Sequence, residues 1–197
     1  LLMELPMTDR PDATTPASPA APADGENPLL AWREYPDYGH IEPRHVEPAV
    51  DAVLAAAAAE LTAMESSPHQ TWDDLMMPLE RLGDRIERAW GVTGHLNAVR
   101  NSPELRQAYQ QTQPKVVQFV HRLGQSRGLF DGYVALQNAP EFAGYDGARR
   151  RVLDSSVRDA RLAGVELDGA QRERFLAIGK ELAELGTRFQ NNVLDAT

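Results

Sequence analysis

Histidines are the side chains of this chain best suited to metal chemistry, and there are five of them: His40, His45, His69, His95 and His121. A zinc peptidase carries His-Glu-x-x-His on a helix, because a four-residue step turns both imidazoles to one face and sets the glutamate beside the metal-bound water. The nearest approach to this motif runs from His40 to His45, a five-residue step with Pro43 inside it. We therefore interpret this segment as the approach to the first helix and not as a metal site.

A second motif with catalytic potential is residues 124–128, which match the Gly-x-Ser-x-Gly nucleophile elbow with Ser126 at the centre. The elbow exposes its serine only where a strand leads into the turn and a helix leaves it. Residues 116–123 have helical spacing instead, and His121 would lie on that helix. The pattern favours a helix end followed by a loop. A serine hydrolase is the alternative, and it rests on this motif alone.

Two other polar groups are more typical of structure than of chemistry. We expect His95, Leu96 and Asn97 to take part in helix packing, because buried polar groups normally have hydrogen-bond partners. Arginines at 149–151 could attract an anion, but acidic residues follow on the same predicted helix, and that mixture is typical of a solvated face. The sequence contains no glycine-rich phosphate loop. We therefore predict no catalytic, cofactor-binding or metal-binding residue in this chain.

Composition narrows the classes of partner. Twenty-nine acidic and 20 basic residues give a formal net charge of −9, which argues against binding to a nucleic-acid backbone. The chain has no cysteine, so disulfides and thiolate metal sites are excluded, and a reducing, cytoplasmic location is expected. Its most apolar run, residues 52–59, is mostly alanine and far shorter than the ~20 residues that cross a bilayer. We expect no membrane association.

The elements that would position these residues are helices. Residues 1–26 are rich in Pro and Ala and predict a disordered leader, dispensable for stability, because such a composition cannot bury enough apolar surface. Residues 27–197 form the predicted helical domain, which begins with an irregular segment held to the body by Trp32, Tyr35 and Tyr38. No stretch alternates between apolar and polar residues as strands do. The predicted fold is an all-α, antiparallel helical bundle.

Apolar stripes and capping residues predict where the helices lie. Stripes from Val46 to Met64, from Leu75 to Trp90 and from Leu105 to Leu123 mark three of them. Their starting signals are a capping box at residues 71–74 and a serine followed by a proline at 102–103. A shorter helix is expected around residues 133–138. Another is expected over 148–164, with Arg150, Asp154 and Arg158 in four-residue steps.

The last predicted helix follows Asp168 and carries the longest apolar stripe: Phe175, Ile178, Leu182, Leu185, Phe189 and Val193. No glycine or proline follows to end it. We therefore expect this chain to be the front part of a larger protein, with an incomplete helical domain. In isolation, the chain is expected either to self-associate through this helix or to fray beyond about Gly186.

Three segments of mixed polar and apolar residues carry a family resemblance. They are Asn27-Pro28-Leu29-Leu30 with residues 41–50, then residues 95–109, and then residues 181–197, which end in Asn191-Asn192-Val193-Leu194-Asp195-Ala196-Thr197. In this order they resemble the N-terminal region of the thimet oligopeptidase family of zinc metallopeptidases. The first begins at Asn27 and the last ends at Thr197, so together they span all of the chain but the leader, which is itself a departure from the family pattern.

The resemblance implies a clamshell of mostly helical halves around a narrow channel that admits short peptides. It also implies zinc, held by a His-Glu-x-x-His motif and a further glutamate, all in a C-terminal catalytic region that this chain lacks. The chain would then be a non-catalytic part of the channel wall, inactive and zinc-free alone, with that region as its partner. A stand-alone helical interaction module without enzymatic activity is the alternative. The reading frame beyond Thr197 distinguishes the two.

Overall fold

The structure is a computed structural model that describes residues 26–31, 35–67 and 71–196, and all regular structure within them is helical. The predicted all-α bundle is confirmed. Its six helices are α1 (Pro43–Glu65), α2 (Trp72–Val99), α3 (Pro103–Gly124), α4 (Arg127–Asn138), α5 (Gly147–Leu162) and α6 (Gly169–Asp195). A short 3-10 helix, Pro140–Gly144, lies between α4 and α5. The predicted leader lies outside the described residues apart from Glu26, and so do Trp32 and His69.

Side-chain caps fix where several helices begin. Thr71, Ser102 and Asp168 each accept a hydrogen bond from a backbone N–H in the first turn of α2, α3 and α6, as their positions in the sequence predict. Thr71 Oγ1 also donates to Asp74 Oδ2 at 2.7 Å, a bond between the two side chains that stands in place of the return bond to the Thr71 backbone N–H in the predicted capping box. α3 continues through Pro114.

Contacts between helices establish their directions. Lys115 binds Glu47 and Asp51 near the start of α1, while Arg122, further along α3, binds Thr62 near the end of α1. α1 and α3 are therefore parallel and pack directly on each other, and α2 runs antiparallel to both. α6 runs antiparallel to α3, which is the helix it mainly packs on, and α4 runs antiparallel to α5.

Two apolar clusters at opposite ends of the α1–α2–α3 bundle form most of the core. One joins the start of α1, the end of α2 and the start of α3, and includes Val46, Leu96 and Leu105. The other joins the opposite ends of these helices to α4 and α5, and includes Leu61 and Leu82. Both of those leucines are 0% exposed. α1 contributes to both clusters, which explains why its apolar stripe extends over its whole length.

The N-terminal segment is held differently from the prediction. Tyr35 is 73% exposed, so its predicted packing is wrong. Leu29 and Ile41 are the buried side chains, and Asn27 Nδ2 donates to the carbonyl of His45 at 2.8 Å. Tyr38 lies with its ring centroid 5.5 Å from that of His95. Small aliphatic residues fix this segment because they fit between α1 and α2, whereas the tyrosine rings lie at the rim.

α4 begins earlier than the sequence predicts. Its glycines look like helix breakers, but Gly128 lies where α4 crosses the end of α1, and an added Cβ there would stand 3.1 Å from the backbone of Glu65. The predicted charge ladder on α5 is wrong. Asp154 accepts from Gln137 of α4 at 2.7 Å, and Arg158 pairs with Asp159. Tertiary contacts outcompete the weak pairs within a helix.

Candidate functional site

The two histidines nearest to a metal-binding spacing are used in local structure. His40 Nδ1 lies 2.9 Å from Asp37 Oδ1 in the turn before α1. His45 Nδ1 accepts from the backbone N–H of Glu42 at 3.0 Å, as part of a capping box at the start of α1. Over residues 26–31, 35–67 and 71–196, no three His, Asp or Glu side chains converge to hold a metal ion. The resemblance places its zinc beyond this chain, and the described residues offer no further site for one.

Ser126 is a helix cap and not the apex of a nucleophile elbow. Helix α3 precedes it, its Oγ accepts from Leu129 N–H at 3.3 Å, and the same Oγ donates to Glu65 Oε1 at 2.7 Å. The side chain is 5% exposed. His121 on α3 instead lies edge-on to Phe175, with ring centroids 5.5 Å apart. The geometry required of an activated serine is not present at Ser126.

His95 and the arginine run also have structural contacts. His95 is exposed and its ring contacts that of Tyr38 in the segment before α1, so the predicted role in helix packing does not hold for His95, whereas Leu96 and Asn97 are buried. The guanidinium of Arg149 lies 5.4 Å from the ring centroid of Trp72, and that of Arg150 lies 5.9 Å from Phe142. These cation–π contacts join α5 to α2 and to the 3-10 helix. All three arginines at 149–151 are exposed, as the predicted solvated face requires, and two of them also lie beside aromatic rings.

The largest unexplained surface belongs to α6. Five large apolar side chains of its stripe face outward and are between 40% and 69% exposed: Ile178, Leu182, Leu185, Phe189 and Val193. Nine residues at about 100° each place Asn191 on the side opposite to Leu182, and Asn191 is buried together with Thr187. Helix α6 therefore packs on α3 through a polar face. Exposed apolar patches of this kind mark interaction surfaces.

Polar contacts fasten α6 to α3 along their length. Gln113 Nε2 donates to Thr187 Oγ1 at 2.5 Å, and Arg106 binds both carboxylate oxygens of Asp195 at 2.8 and 3.0 Å. The hydrogen bond from Arg106 lowers the pKa of Asp195. At the other end, Gly179 allows close approach, since a Cβ there would stand 2.1 Å from His121 Nε2. Apolar periodicity gives no sign of these contacts.

A polar groove of about 470 Å³ lies between α3 and the C-terminal half of α6. Asn191 lines it and is 7% exposed, and its side-chain oxygen Oδ1 is buried and accepts no hydrogen bond from the described residues. Such an unsatisfied acceptor costs roughly 1–3 kcal/mol. The sequence did give a signal here, because two consecutive asparagines are unfavourable inside a helix.

Tyr133 is a partly buried side chain whose pKa is strongly shifted. Burial raises its pKa to about 12, and its ring packs with the core cluster that joins α4 and α5. The tyrosine therefore stays neutral at physiological pH.

None of the helices described here combines the length and apolar character needed to cross a bilayer.

Comparison with known proteins identifies peptidases among the relatives of this chain. Residues 50–172 match the domain family "Neurolysin/Thimet oligopeptidase, N-terminal domain". The chain is 39% identical over 171 residues to oligopeptidase A of Haemophilus influenzae, and the alignment covers 87% of this chain and 25% of the relative. It is 39% identical to the organellar oligopeptidase A of Arabidopsis thaliana, with 87% and 22% covered. For the probable cytosolic oligopeptidase A of Arabidopsis thaliana the identity is 37%, with 87% and 24% covered. The chain thus spans about a quarter of the length of these relatives.

Proposed function

Because this chain belongs to the neurolysin/thimet oligopeptidase family, we propose that it is the N-terminal, non-catalytic part of a zinc-dependent oligopeptidase that hydrolyses short peptides. The observation that carries the proposal is the outward-facing apolar stripe of α6, in a chain that matches only a quarter of its relatives. These apolar side chains need a surface to pack against. In this proposal, the other three quarters of a polypeptide as long as its relatives would supply that surface.

In this proposal the zinc ligands and the catalytic glutamate belong to that further polypeptide. The described residues offer no convergent set of three His, Asp or Glu side chains that would hold the metal. What this chain contributes is a rigid helical wall that restricts access to the channel, so that short peptides enter and folded proteins do not. The proposed location is the cytoplasm, as in the name of the cytosolic Arabidopsis relative.

α6 is the proposed docking element between the wall and the catalytic part. Its stripe has the three- and four-residue spacing with which one helix packs against another. Burying a large apolar side chain contributes roughly 1.5–3 kcal/mol, so the exposed apolar residues of the stripe form a substantial interface. The polar face of α6 stays on α3, and the helix therefore lies between the two parts.

A chimera tests the proposal. The matched quarter of the Haemophilus influenzae oligopeptidase A is replaced by this chain, and cleavage of a quenched-fluorescent peptide is measured with and without a chelator. We expect chelator-sensitive cleavage by the chimera, and a loss of at least tenfold when Leu182 and Phe189 are both changed to glutamate. The parent enzyme and the separate halves serve as controls. A folded chimera that leaves the peptide intact contradicts the proposal.

The second candidate function is a stand-alone helical interaction module. The same exposed stripe favours it, because a module that binds a partner protein through α6 needs no catalytic residues. The two candidates differ in whether the chain can complete the peptidase. A folded chimera that cleaves no peptide supports the module, whereas an active chimera that is unchanged by glutamates at residues 182 and 189 removes only the docking role of the stripe.

A further inference from the structure

The groove between α3 and α6 is separate from the docking surface described above, since Thr187 and Asn191 line it on the side of α6 turned away from Leu182. Its lining is rich in amides and balanced in charge: Arg106 and Arg188 are matched by Glu184 and Asp195, with Gln110 and Asn191 among them. A groove without excess charge is suited neither to an anion nor to a cation. Side-chain amides carry one acceptor and two donors, which is the pattern that complements a peptide main chain.

Asn191 is the residue that points to a ligand. Only 7% of its surface is exposed, and its Oδ1 accepts no hydrogen bond from the described residues. Neighbouring donors are already used, because Gln113 Nε2 donates to Thr187 and to the carbonyl of Ala183, and Arg106 donates to Asp195 and Asn101. A half-turn of the Asn191 amide exchanges its oxygen and nitrogen, so an incoming N–H selects the orientation that accepts from it.

The dimensions of the groove agree with a short extended segment. Residues 184–195 of α6 line it, and eleven helical steps of 1.5 Å span about 16 Å. An extended chain rises about 3.3 Å per residue, so this length matches four or five residues. The volume of about 470 Å³ also lies within the ~300–1,000 Å³ of typical ligand sites.

We propose that the α3–α6 groove binds four or five residues of extended peptide through main-chain N–H and C=O groups, with Asn191 accepting from a peptide N–H. This inference rests on the proposed function, since it gives the helical wall a subsite for the peptides that the oligopeptidase cleaves. Recognition through the main chain is independent of side-chain identity, as a peptidase with many short substrates requires.

The test is an NMR titration of the 197-residue chain with acetyl-tetraalanine amide, which is uncharged and carries intact main-chain amides. We expect the side-chain amide signals of Asn191 and Gln110 to shift. The matched ligand is the same peptide with alternate amides N-methylated, which removes the N–H donors along one edge of the extended chain. It should bind at least tenfold more weakly. Equal binding of the two peptides, or no shift with either, overturns the proposal.

Variants separate a binding role from a structural one. Asn191→Leu should weaken binding of the tetraalanine peptide at least tenfold while the melting temperature stays the same or rises, because an unsatisfied acceptor is removed. Gln110→Leu, at an exposed position, tests the same groove should the first variant fail to fold. Asn138→Leu at the end of α4 is the control and should leave the affinity unchanged. Unchanged affinity in both groove variants overturns the inference.

The outcome is distinguishable from that of the proposed function. Binding is measured on this chain alone, whereas the proposed function is measured by cleavage in the chimera. An active chimera whose N-terminal part does not bind the peptide removes only the groove. An inactive chimera containing a peptide-binding groove removes the oligopeptidase role.

Discussion

Gly164 ends α5 with a backbone φ of +87°, a conformation that residues with a Cβ rarely adopt. Its N–H donates to the carbonyl of Arg161, and the next N–H, of Val165, donates to that of Ala160. These two bonds form a Schellman motif, which satisfies carbonyls that a helix end would leave without donors. The turn directs the chain from α5 back towards the start of α6.

We predict that Gly164→Ala lowers the free energy of unfolding by about 1–2 kcal/mol, because alanine is strained at positive φ. The new Cβ would also stand 2.5 Å from Leu167 Cδ1. Urea denaturation followed by circular dichroism measures the change. Gly186→Ala is the matched control, since nothing lies within 4 Å of its added Cβ, and it should stabilise the chain by roughly 0.5–1 kcal/mol. Equal effects at the two sites would show that the φ of Gly164 is not a constraint.

The pair between Arg106 and Asp195 predicts a dependence on pH. Its hydrogen bonds lower the pKa of Asp195, because they stabilise the ionised carboxylate in the folded state and not in the unfolded chain. The stabilisation is fully present above the unfolded pKa of about 3.9 and is lost as the pH falls through the lower, folded pKa. We therefore expect NMR carbon shifts of residues 187–195 to lose helical character below about pH 4. Asp195→Asn should show that loss of order already at pH 7, with little further change on acidification.

Among the elements, α6 shows best what periodicity can and cannot predict. The spacing from Ile178 to Phe189 located the helix and its apolar stripe, because a helix repeats every 3.6 residues. Spacing does not say what covers a stripe. The contacts that hold α6, from Gln113 and Arg106 to Thr187 and Asp195, pair residues more than 70 positions apart in the chain and follow no local rule.

We predict that Leu182→Glu with Phe189→Glu leaves the melting temperature of the isolated chain unchanged and reduces its self-association. The two side chains are 64% and 69% exposed, so charges there cost little in the folded monomer. Sedimentation at several concentrations measures the association. Leu82→Ala is the contrasting control, because Leu82 is 0% exposed and its truncation should cost about 2–5 kcal/mol. A parent chain that is strictly monomeric would contradict association through α6, whose helix extends to Asp195.

For the whole molecule, the sequence was sufficient for the fold class, for most helix starts and for the family. Caps such as Ser102 and stripes such as that of α2 are local signals, and they agree with the structure. The surfaces that bear on function were not predictable in this way. Asn191 and Gln113 become neighbours only after α6 folds back along α3, so their groove is a property of the tertiary structure.

We predict that the isolated 197-residue chain has no peptidase activity and binds no stoichiometric zinc. Its histidines 40 and 45 form local hydrogen bonds, and the described residues hold no convergent ligand set. Incubation of rigorously purified chain with a quenched-fluorescent peptide, together with metal analysis after dialysis, tests both statements. Chelator-sensitive cleavage, or one zinc per chain, would contradict them.

The polar contacts between α3 and α6 also determine the order in which the molecule opens. Helices α1, α2 and α3 share two apolar clusters, whereas α6 buries mainly polar groups such as Thr187 and Asn191. Burial of apolar surface supplies most of the free energy that resists opening, so α6 forms a separate cooperative unit with a lower opening free energy. We expect native-state hydrogen exchange to show α6 amides exchanging through an opening that depends weakly on denaturant, while α1 amides exchange only on global unfolding. In the chain on its own, α6 would therefore be the helix that most easily detaches from α3 and packs on it again.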